Sequence, residues 1–160
     1  MNITQLSDHF SLNEATASST AERLGIDNTQ VPPEVLVAMQ RTAIRMEKVR
    51  IVLGNKPLHI DSWYRCLGLN TALGSKPTSQ HVKGEAVDFI APEFGDCLAI
   101  AKCLIAASDL IRFDQLILEH TWIHISFCSP DRSPRNQVLS LLEGGHYSVG
   151  LTDKGGVRYE

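Results

Sequence analysis

Residues 79–88 read SQHVKGEAVD and place a histidine and an aspartate seven positions apart, with a glycine between them. The end of this stretch predicts a strand, and His81 lies in the loop that leads into it. Gly84 permits a sharp turn and a close approach of the backbone to a ligand. Ala86 and Asp88 share one face of the strand because side chains alternate. A strand that only fills a core does not require this combination of histidine, glycine and aspartate. The combination is typical of a strand that binds a ligand.

A second candidate ligand lies in the sequence WIHIS at residues 122–126, which alternates as a strand does. Here His124 points to the polar face, while the isoleucines beside it point to the core. Two histidines and one carboxylate with an open fourth position are a common catalytic zinc arrangement, and both ligand types suit zinc. The spacing permits a metal site formed by His81, Asp88 and His124. It also permits a histidine that simply packs in the strand, so both interpretations stay open at this stage.

The composition favours an ordinary globular chain. The 160 residues predict a single domain, 1–160, with a substantial core. A net charge of −3 argues against nucleic acid as a partner. No apolar run reaches the ~20 residues of a membrane span, and the first residues lack the basic start and apolar segment of a secretory signal. The four cysteines form no C-x-x-C pair and are interpreted as free thiols. We therefore expect a protein made in the cytoplasm, without a signal peptide and without membrane insertion.

Local patterns predict two helices before the first strand. Ser11 and Glu14 have the spacing of a capping box, which predicts a helix over residues 14–22 that ends at Gly25. A longer helix is predicted from Pro33, with apolar residues at helical spacing as far as Leu53.

The remaining patterns are mostly those of strands. They predict strands over 58–63, 85–90, 114–119 and 122–127, a helix over 99–107, and one or two hairpins in 137–160. Helices followed by strands with an inserted helix indicate an α+β fold, with N-terminal helices packed on an antiparallel sheet.

The motifs together resemble a known family. The string S-x-H-x-x-G-x-A-x-D at 79–88, followed by WIHIS at 122–126, resembles the zinc D-Ala-D-Ala carboxypeptidase and endopeptidase family, peptidase family M15. The resemblance is greatest to phage-encoded members that cut peptidoglycan. S-x-Y-R followed by L-N at 62–70 is similar to the arginine-bearing segment of the family, and 6–21 to the N-terminal helix of the phage proteins. The resemblance implies a single zinc peptidase domain with the hedgehog/DD-peptidase fold.

The resemblance also implies roles for individual residues. His81, Asp88 and His124 match the zinc ligands. Arg65 matches an arginine that binds a substrate carboxylate or stabilises the oxyanion, which suits the planar fork of a guanidinium. Ser79 matches a serine that helps to hold the substrate beside the metal.

The general base departs from the family pattern. Many members carry an acidic residue three positions before the last zinc histidine, and here that position is Thr121. Glu119 lies five positions before His124 and is the best available carboxylate for accepting a proton from an attacking water. The alternative is that Glu119 merely ends a strand at the surface. His120 is the second candidate, as a base or a transition-state donor.

The resemblance implies a zinc-dependent peptidase that cleaves stem peptides or cross-links of bacterial peptidoglycan, acting as a monomeric phage endolysin after its release to the cell wall. Two alternatives remain. One is a virion-associated structural or binding module that keeps the zinc site without activity, which Thr121 favours. The other is a D,D-dipeptidase or carboxypeptidase on small wall peptides, which a narrow pocket would favour.

Other residues have less specific interpretations. Trp63, Tyr64 and Trp122 are suited either to the wall of a substrate groove or to ordinary packing. The charged residues of 109–114, Asp114 among them, are interpreted as a solvated connection between a helix and a strand.

Overall fold

The computed structural model describes residues 4–160, so residues 1–3 of the predicted domain lie outside the described residues. The helices are α1 (Leu12–Thr16), α2 (Ser19–Leu24), α3 (Pro33–Val52), α4 (Leu67–Ala72), α5 (Cys97–Ala106) and α6 (Ser108–Ile111). The strands are β1 (His59–Ser62), β2 (Ala86–Ile90), β3 (Gln115–Leu118), β4 (Ile123–Ser126), β5 (Gln137–Leu141) and β6 (Tyr147–Val149).

The first predicted helix is two helices, so the prediction of one continuous helix over 14–22 was wrong. Ala17 has extended backbone angles, φ −63° and ψ 137°, which end α1. The Ser18 side chain then accepts a hydrogen bond from the Ala21 amide and begins α2. A serine cap competes with helix continuation because it offers the backbone another partner. Gly25 ends α2 in the left-handed region, at φ 66°, as predicted.

The long predicted helix is confirmed as α3. It begins with Pro33 in its first turn, where the missing amide hydrogen has no cost. Met39, Ala43, Met46 and Val49 are fully buried and recur at helical spacing on one face. Burial of such side chains contributes about 1.5–3 kcal/mol for each large one, and it fixes α3 in the hydrophobic core.

The six strands form one sheet in the order β1-β2-β4-β3-β5-β6. Four of the pairs are antiparallel, whereas β3 and β5 are parallel. The prediction of a wholly antiparallel sheet was therefore wrong at this pair. A short turn joins β3 to β4, but the connection 127–136 is long enough to cross over to the far side of β3. The architecture is nevertheless α+β, and the β5–β6 pair is one of the predicted hairpins.

The two faces of the sheet have different surroundings. Alternate side chains of the central strands are buried in the core with the helices: Val87, Phe89, Leu116, Leu118, Ile123 and Ile125. The opposite face forms the floor of a cleft of about 880 Å³, which His81, Asp88 and His124 line. In the part of the chain that the structure describes, no helix has the length and apolar character to cross a bilayer.

Gly84 is a position where an alanine is expected to destabilise the protein. Its φ is +70°, and an added Cβ would lie 2.5 Å from Cγ of Met39 and 3.2 Å from Val35. Left-handed strain and overpacking each cost about 1–3 kcal/mol. We expect Gly84→Ala to lower the free energy of unfolding by about 2–5 kcal/mol, measured by urea denaturation.

Gly145→Ala is the matched control. Gly145 also has a positive φ, +81°, but no atom lies within 4 Å of the added Cβ. This variant should therefore show only the backbone strain. Equal destabilisation of the two variants would contradict the packing argument.

Candidate metal centre

Strand pairing brings two of the candidate ligands together. Asp88 on β2 lies directly opposite His124 on β4, so their side chains leave the sheet side by side. Nδ1 of His124 lies 2.8 Å from Oδ1 of Asp88. His81 enters from the turn before β2, and its Nε2 lies 3.3 Å from Oδ2 of Asp88. One ligand atom from each residue lies within 4.8 Å of the other two, so the three residues form a group that can hold a metal ion.

The tautomer of His81 is determined by a backbone carbonyl. Its Nδ1 lies 2.7 Å from the carbonyl oxygen of Trp63, and a carbonyl can only accept a hydrogen bond. Nδ1 must therefore carry the hydrogen, which leaves the lone pair of a neutral ring on Nε2. Burial lowers the pKa of His81, although Asp88 opposes this effect. The ring is therefore held neutral, with the nitrogen that faces Asp88 free to coordinate.

Asp88 is buried but ionised. Burial alone would raise its pKa, yet the neighbouring His81 and His124 hold the pKa of this carboxyl below its ordinary value. Nη2 of Arg65 also donates to Oδ2 of Asp88 at 3.0 Å. Both carboxylate oxygens therefore have partners, as expected for a buried charge.

Arg65 is held in place by its neighbours. Its Nε donates to Oγ of Ser62 at 3.0 Å, and its backbone amide donates to the carbonyl of His81 at 3.2 Å. Burial lowers the pKa of Arg65, partly offset by Asp88, and an arginine remains charged throughout the physiological range. No acceptor contacts Nη1 within residues 4–160, so this nitrogen can still donate to a substrate.

Ser79 lies at the edge of the same cleft. Its Oγ accepts a hydrogen bond from the backbone amide of His81 at 3.3 Å, and the hydroxyl hydrogen remains available. The structure therefore places Ser79 next to His81 on the lining of the cleft.

The β3–β4 hairpin explains how Glu119, five positions before His124 in the sequence, comes to lie near it. The amide of Glu119 donates to the carbonyl of Trp122, which closes the turn. Ile117 lies opposite His124, and Glu119 follows two residues later on the same face. Glu119 is thus the diagonal neighbour of His124 and lines the cleft. Burial raises the pKa of Glu119 above its ordinary value, with His124 opposing and Asp88 adding to the effect.

The two residues at the tip of this turn face elsewhere. His120 has a positive φ of 67°, and its Nε2 donates to the carbonyl of Leu141 at 2.8 Å. His120 is not among the residues that line the cleft. Thr121 is exposed at the turn. Of the two candidates for a general base, the structure brings only Glu119 into the cleft.

Tyr147 is a cleft residue that the sequence did not indicate. It lies on β6, and its hydroxyl donates to Oε1 of Glu119 at 3.4 Å. A tyrosine in a predicted hairpin gives no local signal of this contact, which depends on β6 folding back beyond β5. Three aromatic residues were candidates for the wall of a substrate groove. Of these, Trp122 lines the cleft, whereas Trp63 and Tyr64 are buried in the core.

Asn28 is a second residue near the site that the sequence did not indicate. Its buried amide group donates to the carbonyls of Thr16 and Tyr64 and accepts from the amide of Cys66. These contacts fix the backbone on both sides of Arg65 to the N-terminal helices. Asn28 therefore positions the arginine that contacts Asp88.

Asp114 was interpreted as solvated, and that interpretation was wrong. Its side chain is fully buried and accepts hydrogen bonds from the backbone amide, Nε and Nη2 of Arg135. Burial would raise the pKa of Asp114, but Arg135 holds it below its ordinary value. The partner lies beyond the predicted strands, so the short-range pattern could not show it.

The donor set fits zinc. Two imidazole nitrogens and one ionised carboxylate converge, and hydrogen bonds to Trp63 and Arg65 orient two of the three side chains. This is the combination of ligands and outer partners expected of a catalytic zinc site.

The comparisons with known proteins agree with this chemistry. A family model described as Peptidase M15 matches residues 8–126. The match includes the three candidate ligands, Arg65 and Glu119, but it ends before β5 and β6. A search of curated proteins found no match.

Proposed function

The chain belongs to peptidase family M15, a family of zinc peptidases, and on this premise we propose that it hydrolyses peptide bonds in bacterial peptidoglycan. The substrates would be stem peptides or their cross-links, and the biological role would be that of a phage endolysin acting as a monomer after release to the wall. The observation that carries the proposal is the convergence of His81, Asp88, His124 and Glu119 in one cleft.

The size of the cleft supports a substrate longer than a dipeptide. Its volume of about 880 Å³ lies near the upper end of the ~300–1,000 Å³ range of ligand pockets. The cleft also extends across several strands, from Ser79 beside β2 to Leu139 on β5 and Tyr147 on β6. An enzyme that acts on small peptides would be expected to have a narrow pocket around the candidate metal ligands.

In the proposed mechanism, Glu119 is the general base. Zinc held by His81, Asp88 and His124 would supply Lewis-acid activation of water and of the scissile carbonyl. Glu119 would take the proton from the attacking water and pass it to the leaving amine. Its raised pKa suits the first step, because a higher pKa makes the carboxylate a better proton acceptor. The protonated carboxyl can still give the proton to the leaving amine, which is the stronger base.

Arg65 and Ser79 would act on the substrate itself. Nη1 of Arg65 can donate to the oxygen that becomes negative in the transition state, while Nη2 remains on Asp88. The hydroxyl of Ser79 can donate to a peptide carbonyl and orient the substrate. Neither side chain needs to reorganise, since both are already fixed by hydrogen bonds.

One observation favours a second candidate function. The position where many relatives carry an acid is Thr121, and it is exposed at the hairpin tip. A virion-associated module with the related hedgehog-like fold could keep the zinc site without the base. Such a protein would bind zinc and release nothing from the wall.

Digestion of purified Gram-negative peptidoglycan tests the proposal. We expect the zinc-loaded protein to release fragments with new amino termini, which mass spectrometry identifies and assigns to a bond. A chelator should abolish release, and added zinc should restore it. Release of D-Ala or a dipeptide alone would indicate the small-peptide enzyme. No release from a protein shown to hold one equivalent of zinc would favour the structural module.

A further inference from the structure

The cleft is locally basic, although the whole chain is acidic. Five basic side chains and three carboxylates line it, while the net charge of the chain is −3. Two of the carboxylates, Asp88 and Asp114, are already paired with arginines. Arg132, Lys76 and Lys83 have no carboxylate within 4 Å among residues 4–160. The unpaired cations give this cleft the electrostatic character of a site for an anionic ligand.

Arg135 is an unusually fixed side chain for the surface. Asp114, with no exposed side-chain surface, holds Nε at 2.9 Å and Nη2 at 2.6 Å, while the arginine side chain is 47% exposed. Within residues 4–160, Nη1 has no acceptor. An arginine that is already immobilised loses little rotamer freedom when it binds a ligand. The buried aspartate thus presents Arg135 to the cleft in a single orientation.

Arg132 belongs to the same loop, 127–136, and also lines the cleft. Gln115 and Gln137 join across the floor beside this loop, with Nε2 of Gln115 donating to Oε1 of Gln137 at 2.6 Å. The floor at this end is therefore polar, and both arginines line the same cleft. Two guanidinium groups that line one cleft can donate charge-assisted hydrogen bonds to a carboxylate.

The strand register gives the distance along β3 between the ligand group and Asp114, which holds Arg135. Ile117 lies opposite His124, and Asp114, the residue just before β3, precedes Ile117 by three positions. Three residues of strand span about 10 Å. Glu119 lies in the other direction along the strand. A peptide that runs along the cleft from His124 to the Asp114–Arg135 pair would therefore extend for about three residues to one side of the scissile bond.

We propose that Arg135, held by Asp114, and Arg132 form a subsite that binds a carboxylate of the substrate about three residues from the bond that is cleaved. The ligand class is an acidic peptide of at least four residues. This inference rests on the proposed function, because it assigns specificity to the same cleft. Both arginines lie outside residues 8–126, which match the family model.

Binding calorimetry tests the subsite without requiring turnover. The full chain carrying Glu119→Gln, loaded with zinc, is titrated with the peptide L-Ala–γ-D-Glu–diaminopimelate–D-Ala. It is then titrated with the same peptide bearing primary amides in place of its carboxylates, and mass spectrometry checks that both remain intact. We expect the acid to bind at least tenfold more tightly than the amide.

Three further variants assign the effect to residues. Arg135→Lys keeps the charge beside Asp114 but loses the fork, and it should weaken binding of the acid about tenfold without affecting the amide. Arg132→Gln, which leaves Asp114 undisturbed, should weaken binding of the acid two- to fivefold, less at high salt. Arg23→Gln on exposed α2 removes the same charge away from the cleft and should change neither. Thermal melts confirm that each variant is folded.

Several results would overturn the subsite. The first is equal affinity for the acid and the amide, and the second is failure of both peptides to bind. The third is an equal loss of affinity for both peptides in Arg135→Lys, which would indicate that the arginine is merely structural. Hydrolysis by the wild-type enzyme is scored separately. Tighter binding of the acid than of the amide, without hydrolysis by the wild type, would support the subsite and contradict the proposed peptidase activity. Hydrolysis with equal affinity for the two peptides would support the peptidase activity and contradict the subsite.

Discussion

Replacement of His81 by alanine should abolish zinc retention and, with it, all detectable hydrolysis of peptidoglycan. The variant keeps two of three ligands and loses the one whose tautomer is fixed by the Trp63 carbonyl. The substitution also leaves the buried Asp88 carboxylate with one partner fewer and the Trp63 carbonyl without its donor. A buried polar group that is left unsatisfied costs about 1–3 kcal/mol of stability. We therefore expect a lower melting temperature in the metal-free state as well.

Zinc titration separates loss of the site from loss of the fold. A ligand at 1,000 times its Kd stabilises a protein by about 4 kcal/mol, so zinc should raise the melting temperature of the wild type. It should have no such effect on a folded His81→Ala protein. His146→Ala, which removes an exposed histidine at the β5–β6 turn, is the matched control and should behave as wild type. One equivalent of zinc held tightly by His81→Ala would refute the assignment of this ligand.

Glu119→Gln should lower kcat by about 10²–10⁴-fold while leaving zinc content unchanged. The amide is nearly isosteric and can still accept from the Tyr147 hydroxyl, but it cannot take a proton. Glu119 is not one of the three residues whose atoms converge as ligands. The effect should therefore appear in kcat rather than in metal affinity. Rates of peptide release and zinc analysis on the same sample measure both quantities.

Two companion variants make this result specific. Tyr147→Phe removes only the hydroxyl that donates to Glu119, and it should lower kcat less than tenfold. His120→Ala should leave the rate close to that of wild type, since its ring donates to Leu141 and does not line the cleft. Activity that survives Glu119→Gln but falls in His120→Ala would transfer the base role to His120.

Features that depend on neighbouring residues in the chain were predictable. The apolar spacing from Val35 to Val49 predicted α3, and alternation predicted β2 and β4 within a residue or two. The same alternation put His124 on the polar face of its strand. The break at Ala17 was not predicted, because two serine caps compete at close spacing and the pattern alone does not say which prevails.

Features that depend on strand order were not predictable. The parallel pairing of β5 with β3 follows from a crossover, whereas the pattern of each strand is compatible with either neighbour. The position of Glu119 beside His124 follows from the hairpin register, and its contact with Tyr147 follows from β6 lying beyond β5. The roles proposed for Glu119, Arg65 and Ser79 remain predictions for the experiments above.

By itself, the sequence determined the class of the fold, the candidate ligands and the family, because motif spacing and periodicity are properties of short segments. The tertiary structure alone decided that His81, Asp88 and His124 converge within 4.8 Å and that Arg135 neutralises a buried Asp114. The physical reason is that convergence requires a strand register and a chain crossing, which many distant contacts set together. No local pattern records which residues will be neighbours once those contacts form.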